Sequence, residues 1–551
     1  MLSVSFEFIH KIQPMIMKKS PSNQKKTYFK LLIVSVFACS VFLVLSSWNN
    51  AKANPSENLL AYKSFNFFPN DAYNVPHDVQ SPKDSGQVAL SQFAWQEFIA
   101  LNWPSSYNAK KKIYTRGKPD TSKDIMDFLS PDNSGQLVWQ TYKHRVEMYP
   151  VIESKFDTTF NNAPQYFYKV GKQNSITSLD PTSTKKLSDV RTIFNNLDET
   201  SELNLCAVFV DGDPDSPGAS SSNISKTASG LPGAPRRMIY EAKGNQDMFE
   251  YVSKNNLYKS KTRSKKIANT SVAIRTLEKG AVYLPNPDSN TIVFPFGDNN
   301  GVEGSIEVKA TWRQLTLKEY NSGRYLTAPI LYYRSKVNDS NDTITYYDIV
   351  PAFPTKKTLP YGLVGLHIIH KTKTFPSYVF ATFEQVDNLS TTIEPKNTLF
   401  YYNRNSNPAV NPNKQYAYRA NPILPGTKQV NTDAHNQIKA KNSKSVWQYY
   451  KLIGVQGHPQ NNANTTDYFL SNIVTETNQT LRDFSGSLDN TNGTFNPTET
   501  NVYQGKKKFV QGGCKGCHGN AQDADFSFVT KDAPFGGVPD VINLPLLKKK
   551  K

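Results

Sequence analysis

The sequence predicts an α+β fold, in which a large, β-rich antiparallel body with a few helices is followed by a short helical segment at the C-terminus. Residues 303–313 alternate between apolar and polar side chains, and residues 91–103 repeat apolar residues at helical spacing. Further strand-like runs, separated by Pro and Gly, lie at residues 330–336, 343–350, 362–371 and 377–384. The 551 residues exceed the size that one core usually sustains, roughly 250–300 residues.

The first element is a helix that Ser91 opens and Pro104 stops. Its Trp95 and Phe98 are expected in the core, because large aromatic side chains are usually buried. Residues 137–146 predict a second helix.

The strand at 303–313 has the clearest pattern. One face is apolar and the other polar, and the residues that alternate are Ile306, Val308, Ala310 and Trp312 against Glu307, Lys309, Thr311 and Arg313. A period of two predicts a half-buried strand, with the polar face in solvent.

The later part of the chain is more polar. Residues 386–445 and 460–500 read as loops, apart from a short helix at about 468–481, and residues 447–455 as an ordered, buried run.

Residues 1–53 have the three parts of a secretory signal peptide. Lysines precede an uncharged apolar run at 31–45, and Ala51 and Ala53 form a small-x-small cleavage site. A membrane-spanning helix needs about 20 apolar residues, and the run at 31–45 is shorter. We therefore predict cleavage and export to the periplasm, with a membrane anchor facing the periplasm as the alternative. The predicted organisation is a signal peptide (1–53), a large mixed β-rich domain with room for two subdomains (54–500) and a separate C-terminal segment (501–551).

The chain is strongly basic, with a formal net charge of +18. Removal of residues 1–53, which hold seven Lys and one Glu, leaves +12, and four of these charges are the terminal lysines 548–551. A basic surface favours an acidic partner. The sequence has no arginine-rich stretch interleaved with aromatic residues, the pattern that would indicate nucleic-acid binding.

Three cysteines follow residue 53, too few for a disulfide framework. Cys206 lies in an apolar run and is expected to be a buried thiol. The other two form Cys514-Lys515-Gly516-Cys517-His518. This spacing lets both sulfurs reach the two vinyl groups on one edge of a porphyrin while the histidine lies under the iron. We therefore predict one covalent haem c, with His518 as the proximal iron ligand.

Two other uses of the motif fit less well. A redox dithiol would need a βαβ context around the pair, and the sequence predicts none there. A structural zinc site would need a second pair of ligands, and neither Cys nor His follows His518.

Residues 502–510 predict a short helix that resembles the N-terminal helix of class I cytochromes c. A complete class I domain continues well beyond the motif and supplies a distal Met, whereas only 33 residues follow His518 here and none is Met. The sixth iron position therefore takes an upstream ligand, takes Lys531 or a terminal lysine, or stays open. The upstream candidates are His77, His144, His367, His370, His435, His458, Met126, Met148, Met238 and Met248.

His367 and His370 are three residues apart on a predicted strand, so they should point to opposite faces and cannot bind one metal ion together. Each can be a core residue with its hydrogen bonds satisfied, as most buried polar groups are. His367 shares its face with Leu363, Gly365 and Ile369, and we take it as the best candidate for the distal ligand.

Several fragments together resemble a group of large exported bacterial proteins with one C-terminal haem motif, described as cytochrome c family proteins. The fragments are residues 95–104, 365–372, 381–388, the Cys-x-x-Cys-His-Gly motif and Asp525-Phe526-Ser527-Phe528. The resemblance runs over much of residues 90–530 and implies export, haem binding and electron transfer, without naming a substrate.

Three functional hypotheses follow. The first is a periplasmic monohaem cytochrome that passes single electrons to an acidic redox partner protein. The second is an exported haem-dependent oxidoreductase whose β-rich domain binds a substrate. The third is a binding module that haem stabilises. A filled sixth iron position favours the first, and an open one favours the second.

Overall fold

A computed structural model describes most of the chain after Phe65, which forms one compact unit. The described residues are 64–79, 86–131, 135–169, 176–178, 193–199, 207–210, 236–276, 288–298, 301–337, 343–355, 358–388, 400–403, 415–416, 423–457, 472–476, 500–503, 506–509, 514, 518–537 and 539–540. The predicted signal peptide, Cys206, His458, Cys517 and the terminal lysines lie outside these residues.

The described strands run in chain order as follows: β1 (Ser105–Asn108), β2 (Ile113–Pro119), β3 (Lys143–His144), β4 (Phe167–Lys169), β5 (Ile176–Ser178), β6 (Asn195–Leu197), β7 (Ala207–Val210), β8 (Arg236–Arg237), β9 (Ile239–Gly244), β10 (Ile306–Gln314), β11 (Ile330–Val337), β12 (Thr343–Val350), β13 (Tyr361–His370), β14 (Val379–Gln385), β15 (Phe400–Asn403), β16 (Gln415–Tyr416), β17 (Tyr450–Gln456), β18 (Thr500–Tyr503) and β19 (Lys506–Phe509).

The described α-helices are α1 (Gln87–Leu101), α2 (Ile125–Leu129), α3 (Arg145–Met148), α4 (Gln246–Lys254), α5 (Ser260–Arg275), α6 (Leu317–Asn321), α7 (Pro425–Lys441), α8 (Ile473–Glu476) and α9 (Phe528–Lys531). Short 3₁₀ helices lie at Trp139–Thr141, Glu153–Lys155, Val446–Tyr449 and Gly519–Ala524. The chain is thus α+β, as predicted, with a β-rich body and few helices.

A six-stranded antiparallel sheet, the main sheet, forms the centre of the fold, in the order β17-β14-β13-β10-β9-β3. All residues of β13 and β14 are buried, so both faces of the sheet are covered. Smaller sheets surround it: β12-β11-β6, which includes a parallel pair, β16-β15-β7-β8, and the hairpins β1-β2, β4-β5 and β18-β19.

The first face of the main sheet, the helix face, packs against α1 and α7. Phe383 of β14 stacks on Phe98 with ring centroids 4.3 Å apart and meets the edge of Trp95 at 5.2 Å. Both α1 aromatics are fully buried, which confirms their predicted place in the core. The helix begins four residues before the predicted Ser91, and Asn102 caps its end by donating to the Phe98 carbonyl at 2.7 Å.

The opposite face, the motif face, packs against Cys514 and residues 518–532, which we call the motif segment. His367 and Ile369 of β13 lie on this face, as does Phe380 of β14, and Ile369 and Phe380 pack in one apolar cluster with Cys514. The C-terminal residues therefore form a second layer on the sheet.

This second layer contradicts the prediction of a half-buried strand at 303–313. The polar side chains of β10 are covered too: Glu307 accepts a hydrogen bond from Ser527 of the motif segment, and Thr311 donates to the Val474 carbonyl of α8. Alternation in the sequence marks two chemically different faces, but it does not show that one of them meets water.

Three further predictions were wrong. Residues 137–146 form a 3₁₀ turn, the short strand β3 and the start of α3 rather than one helix. Residues 502–510 hold parts of the hairpin β18-β19 rather than a helix like that of class I cytochromes c. The predicted loop at 386–445 contains α7, whose Val430, Ala434 and Ile438 recur at four-residue spacing and are buried. The short helix at about 468–481 is described only as α8.

No helix in the described part of the chain is long and apolar enough to cross a membrane.

Candidate functional site

Cys514 begins the motif segment and is buried against the motif face. It lies in an apolar cluster whose buried members are Ile369, Tyr378, Phe380, Ile453 and Phe526. Three of these side chains come from β13, β14 and β17 of the main sheet, Tyr378 immediately precedes β14, and Phe526 belongs to the motif segment, so the cysteine lies between the two layers. Cys517 lies outside the described residues.

His518 is oriented by the backbone of its own segment. Its Nδ1 donates a hydrogen bond to the Phe526 carbonyl at 2.7 Å, which leaves Nε2 as the nitrogen that can act as an acceptor or bind a metal ion. Phe380 and Phe528 approach the ring, each with centroids 5.0 Å away. Such a fixed, aromatic-walled imidazole is typical of a metal-ligating histidine.

The turn that carries this carbonyl has an unusual backbone. Asp525 and Phe526 have φ angles of 54° and 64°, in the left-handed region that non-glycine residues rarely adopt. Buried contacts hold the turn in place: the Asp525 carboxylate forms an ion pair with Lys371 and accepts a hydrogen bond from the Phe294 amide at 2.7 Å. The strained turn is therefore fixed by the body of the protein, and it positions His518.

His367 meets His518 from the sheet side. The ring centroids of the two histidines lie 6.0 Å apart, and the ring planes differ by 25°. Nδ1 of His367 is buried and has no hydrogen-bond partner among the described residues. A buried polar atom without a partner calls for an explanation, such as a bound ligand. The buried Nε2 of His144 also has no hydrogen-bond partner among the described residues, but it lies 3.5 Å from the Asp198 carboxylate.

Both imidazoles are neutral near pH 7. Burial, together with the nearby His518 and Lys309, lowers the pKa of His367 to about 3. Burial also lowers the pKa of His518 to about 4, although its hydrogen bond to Phe526 opposes that shift. A neutral imidazole offers the electron pair that a metal ion needs, whereas an imidazolium cannot bind it.

The separation of the rings fits one metal ion between them. Two imidazoles that bind an ion from opposite sides through metal–nitrogen bonds of about 2 Å have centroids roughly 6 Å apart. The donor set, the unpartnered nitrogen and the apolar walls therefore suit the iron of a haem, which the cysteine spacing predicts independently.

The other histidine candidates have different surroundings. His370 lies on the helix face, where its Nδ1 donates to Glu97 at 2.5 Å and its Nε2 donates to the Glu303 carbonyl at 2.7 Å. His144 is buried beside Asp198, His435 bonds to the Tyr450 carbonyl, and His77 bonds to the Asp298 carbonyl. Among the described histidines, His367 is the one whose ring contacts His518.

The remaining candidates for the sixth iron position have other contacts or lie on the surface. Lys531 pairs with Asp523 of the motif segment, and Met126 is largely exposed on α2. Met148 and Met248 place their sulfur atoms against Gly244 of β9, and Met238 is buried beside the same strand.

Sequence patterns missed two polar contacts that attach the motif segment to the sheet. One is the Lys371–Asp525 pair, and the other is the hydrogen bond from Ser527 to Glu307 at 2.6 Å. Burial raises the pKa of Glu307 to about 7, although Ser527 and Lys309 oppose that shift. The sequence marks Asp525-Phe526-Ser527-Phe528 only through a family resemblance, because no spacing rule links these residues to Glu307 on β10 or to Lys371 after β13.

Comparison of the chain with protein-family models, with curated proteins and with solved structures finds no match. The site is therefore interpreted from its own geometry. The described residues hold no group of three or more His, Cys, Asp or Glu side chains arranged around one metal ion.

Proposed function

We propose that this protein is a periplasmic monohaem c-type cytochrome that transfers single electrons. Cys514 and Cys517 would hold the haem covalently, and His518 and His367 would bind its iron from the two sides. The observation that carries the proposal is the 6.0 Å separation of the His367 and His518 rings, because the two residues are 151 positions apart in the chain. The cysteine motif predicts His518 as a ligand, the sequence also favours His367 as the distal candidate, and the ring separation supports that choice.

A bound haem supplies an iron whose oxidation state changes by one as it accepts or donates an electron. His518 and His367 would supply two neutral nitrogen ligands to that iron, which would favour electron transfer over the binding of an exogenous ligand. Phe380 and Phe528 pack on the ring of His518, and Phe380 and Phe526 pack on Cys514. Such apolar surroundings are one of the means by which a protein sets a reduction potential.

The carbonyl of Phe526 has a separate role in this proposal. By accepting the Nδ1 proton of His518 it fixes the tautomer and orientation of the ring and raises the basicity of the other nitrogen. Neither ring nitrogen of His367 has a hydrogen-bond partner among the described residues, so we expect His367 to be the less basic of the two ligands.

The first experiment is the absorption spectrum of protein expressed with the c-type haem maturation system, before and after reduction and with carbon monoxide. We expect a low-spin spectrum that carbon monoxide does not change. His367→Ala should become high-spin and bind carbon monoxide, whereas His77→Ala, a histidine outside the site, should behave as the wild type. A wild-type iron that binds carbon monoxide would refute the assignment of His367 and favour a haem oxidoreductase.

The covalent link is tested separately. Cys514→Ala combined with Cys517→Ala should reduce haem stain on a denaturing gel to background. Haem stain that persists in this double variant would refute the proposed attachment.

A further inference from the structure

Among the described helices, α5 and the residues just before it carry the largest excess of basic over acidic side chains. Residues 251–276 contain seven basic residues and no acidic residue. Five of the basic side chains are exposed. Lys261, Lys265 and Arg275 share one side of α5 and form what we call the basic face, while Lys254 ends α4 and Lys259 precedes α5. Lys261 and Lys265 are four positions apart, so they share one side of the helix.

No member of the basic face forms an ion pair with a described residue. The nearest acidic contact of this helix is Glu153, whose carboxylate accepts a hydrogen bond from the Ser260 amide at 2.7 Å and caps the first turn. Like charges placed side by side destabilise a helix, by a few tenths of a kcal/mol for a pair at this spacing. An unneutralised surface of this kind is therefore suited to an external anion.

The basic face lies directly over the motif segment. The opposite side of α5 packs against the 3₁₀ helix Gly519–Ala524, which begins immediately after His518. The buried Arg263 of α5 lies over the ring of Tyr149, and the Tyr149 hydroxyl bonds to Thr530 at 2.7 Å. One helix thickness thus separates the basic face from the segment that carries the proximal histidine.

The acidic residues of the motif segment do not cancel this charge. Asp523 pairs with Lys531, Asp525 is buried in its ion pair with Lys371, and the exposed Asp532 lies near Lys309 and Arg145 rather than near α5. The surface above the site therefore keeps its positive sign, and it would attract a negatively charged partner over a distance of about one Debye length, roughly 8–10 Å.

We infer that the basic face of α5 is the docking surface for an acidic electron-transfer protein. This inference rests on the proposed function, because it assigns the place where electrons leave or enter. An anionic membrane is the less favoured occupant. A helix that binds a membrane surface presents large apolar side chains, and the exposed apolar residue of α5 is Val272.

The test compares two charge-reversal variants of the haem-loaded protein. Lys261→Glu with Lys265→Glu changes the basic face, and Lys110→Glu with Lys111→Glu makes the same change in charge on the exposed turn between β1 and β2. Stopped-flow oxidation of the reduced haem is measured at low and high salt with ferricyanide, an anion, and with tris(phenanthroline)cobalt(III), a cation. Poly-L-glutamate serves as the competing acidic surface.

We expect the α5 variant to react about three- to tenfold more slowly with ferricyanide at low salt and faster with the cobalt complex, because steering depends on local charge. Poly-L-glutamate should slow the oxidation by ferricyanide of the wild type and of the β1–β2 variant, but not that of the α5 variant. Equal effects in both variants, or none in either, would overturn the inference.

Sedimentation with phosphatidylglycerol vesicles tests the other occupant. Binding that the α5 variant alone loses, without any inhibition of the wild type by poly-L-glutamate, would assign the face to a membrane and overturn protein docking. A wild-type protein without a reducible haem would instead refute the proposed function, and the docking inference with it.

Discussion

The two faces of the main sheet each bury one histidine of the same strand, and they treat these histidines differently. On the helix face, His370 uses both ring nitrogens, one on Glu97 and one on the Glu303 carbonyl. On the motif face, His367 keeps a buried nitrogen without a partner and lies against His518. Since buried polar groups are normally satisfied, the first arrangement stabilises the fold, and the second is the one that our proposal assigns to the haem iron.

The pKa directions show the same contrast. Burial alone would lower the pKa of His370, but Glu97 and the Glu303 carbonyl outweigh it and raise that pKa. Burial lowers the pKa of His367, which has no carboxylate beside it. The helix face therefore favours an imidazolium and the motif face a neutral imidazole, which is the form that binds metal ions.

The largest expected effect comes from breaking the pair on the helix face. His370→Ala leaves the buried Glu97 without its partner and should lower the free energy of unfolding by about 3–5 kcal/mol. The measurement is guanidinium denaturation followed by far-UV circular dichroism, and the haem spectrum should not change. Replacing both residues by Leu should recover much of the loss. A loss below about 1 kcal/mol would show that the pair is not structural.

Breaking the buried ion pair on the motif face should cost about the same, but it should also change the haem spectrum. Lys371→Met removes the cation beside the buried Asp525 carboxylate, which keeps the hydrogen bond from the Phe294 amide. The free energy of unfolding should fall by about 3 kcal/mol. Because Asp525 holds the turn that orients His518, the electron paramagnetic resonance signal of the ferric haem should shift. Lys373→Met, at an exposed neighbour, is the control. A stability loss without a spectral shift would contradict the positioning role.

Glu307 should make stability depend on pH. Its pKa is raised from 4.5 in the unfolded chain to about 7 in the folded protein, so the folded state binds more protons between these values. Stability from this group is fully present below about pH 4.5 and is lost as the pH rises through 7, by about 3 kcal/mol. Glu307→Gln should remove this loss, and Glu250→Gln, at an exposed site, should not. Denaturation midpoints across this pH range measure it, and a wild-type curve that Glu307→Gln leaves unchanged would contradict it.

The smallest expected effect concerns Ser527, which donates to Glu307 and caps α9 by accepting from the Thr530 amide at 3.1 Å. Ser527→Ala should cost about 1–2 kcal/mol, measured by the same denaturation. The hydrogen bond from Ser527 lowers the pKa of Glu307, so its removal raises that pKa. The pH-dependent loss of stability should therefore move to higher pH in Ser527→Ala. Ser264→Ala on α5 is the control, and an equal loss there would contradict a specific contact.

The sequence predicts those parts of this molecule whose signal is local. Strands β10 to β14 alternate or are uniformly apolar between Pro and Gly residues, and α1 is apolar on several sides, so each is recognisable by itself. The signal for α7 was also present, with Pro425 at its first turn and an apolar residue every fourth position from Val430. Its many polar residues concealed that pattern, and tertiary packing against α1 decided the outcome.

The site could be predicted only in part for the same reason. The motif identifies Cys514, Cys517 and His518 because their spacing is set by the porphyrin edge. The opposite faces of His367 and His370 follow from the period of a strand, and the structure confirms them. Which face the motif segment covers depends on contacts such as Lys371–Asp525, across 154 positions of the chain, and no local pattern contains that information.

The burial of Cys514 between the two layers has a consequence for the order of assembly. A thiol that lies 2% exposed beneath Phe380 and Phe526 cannot be reached by a maturation enzyme once the motif segment has packed on the sheet. For a covalently attached haem, attachment must therefore precede docking of the segment. Under the proposed function, haem attachment and folding would therefore compete in time, and slower closure of the motif segment would increase the yield of haem-loaded protein.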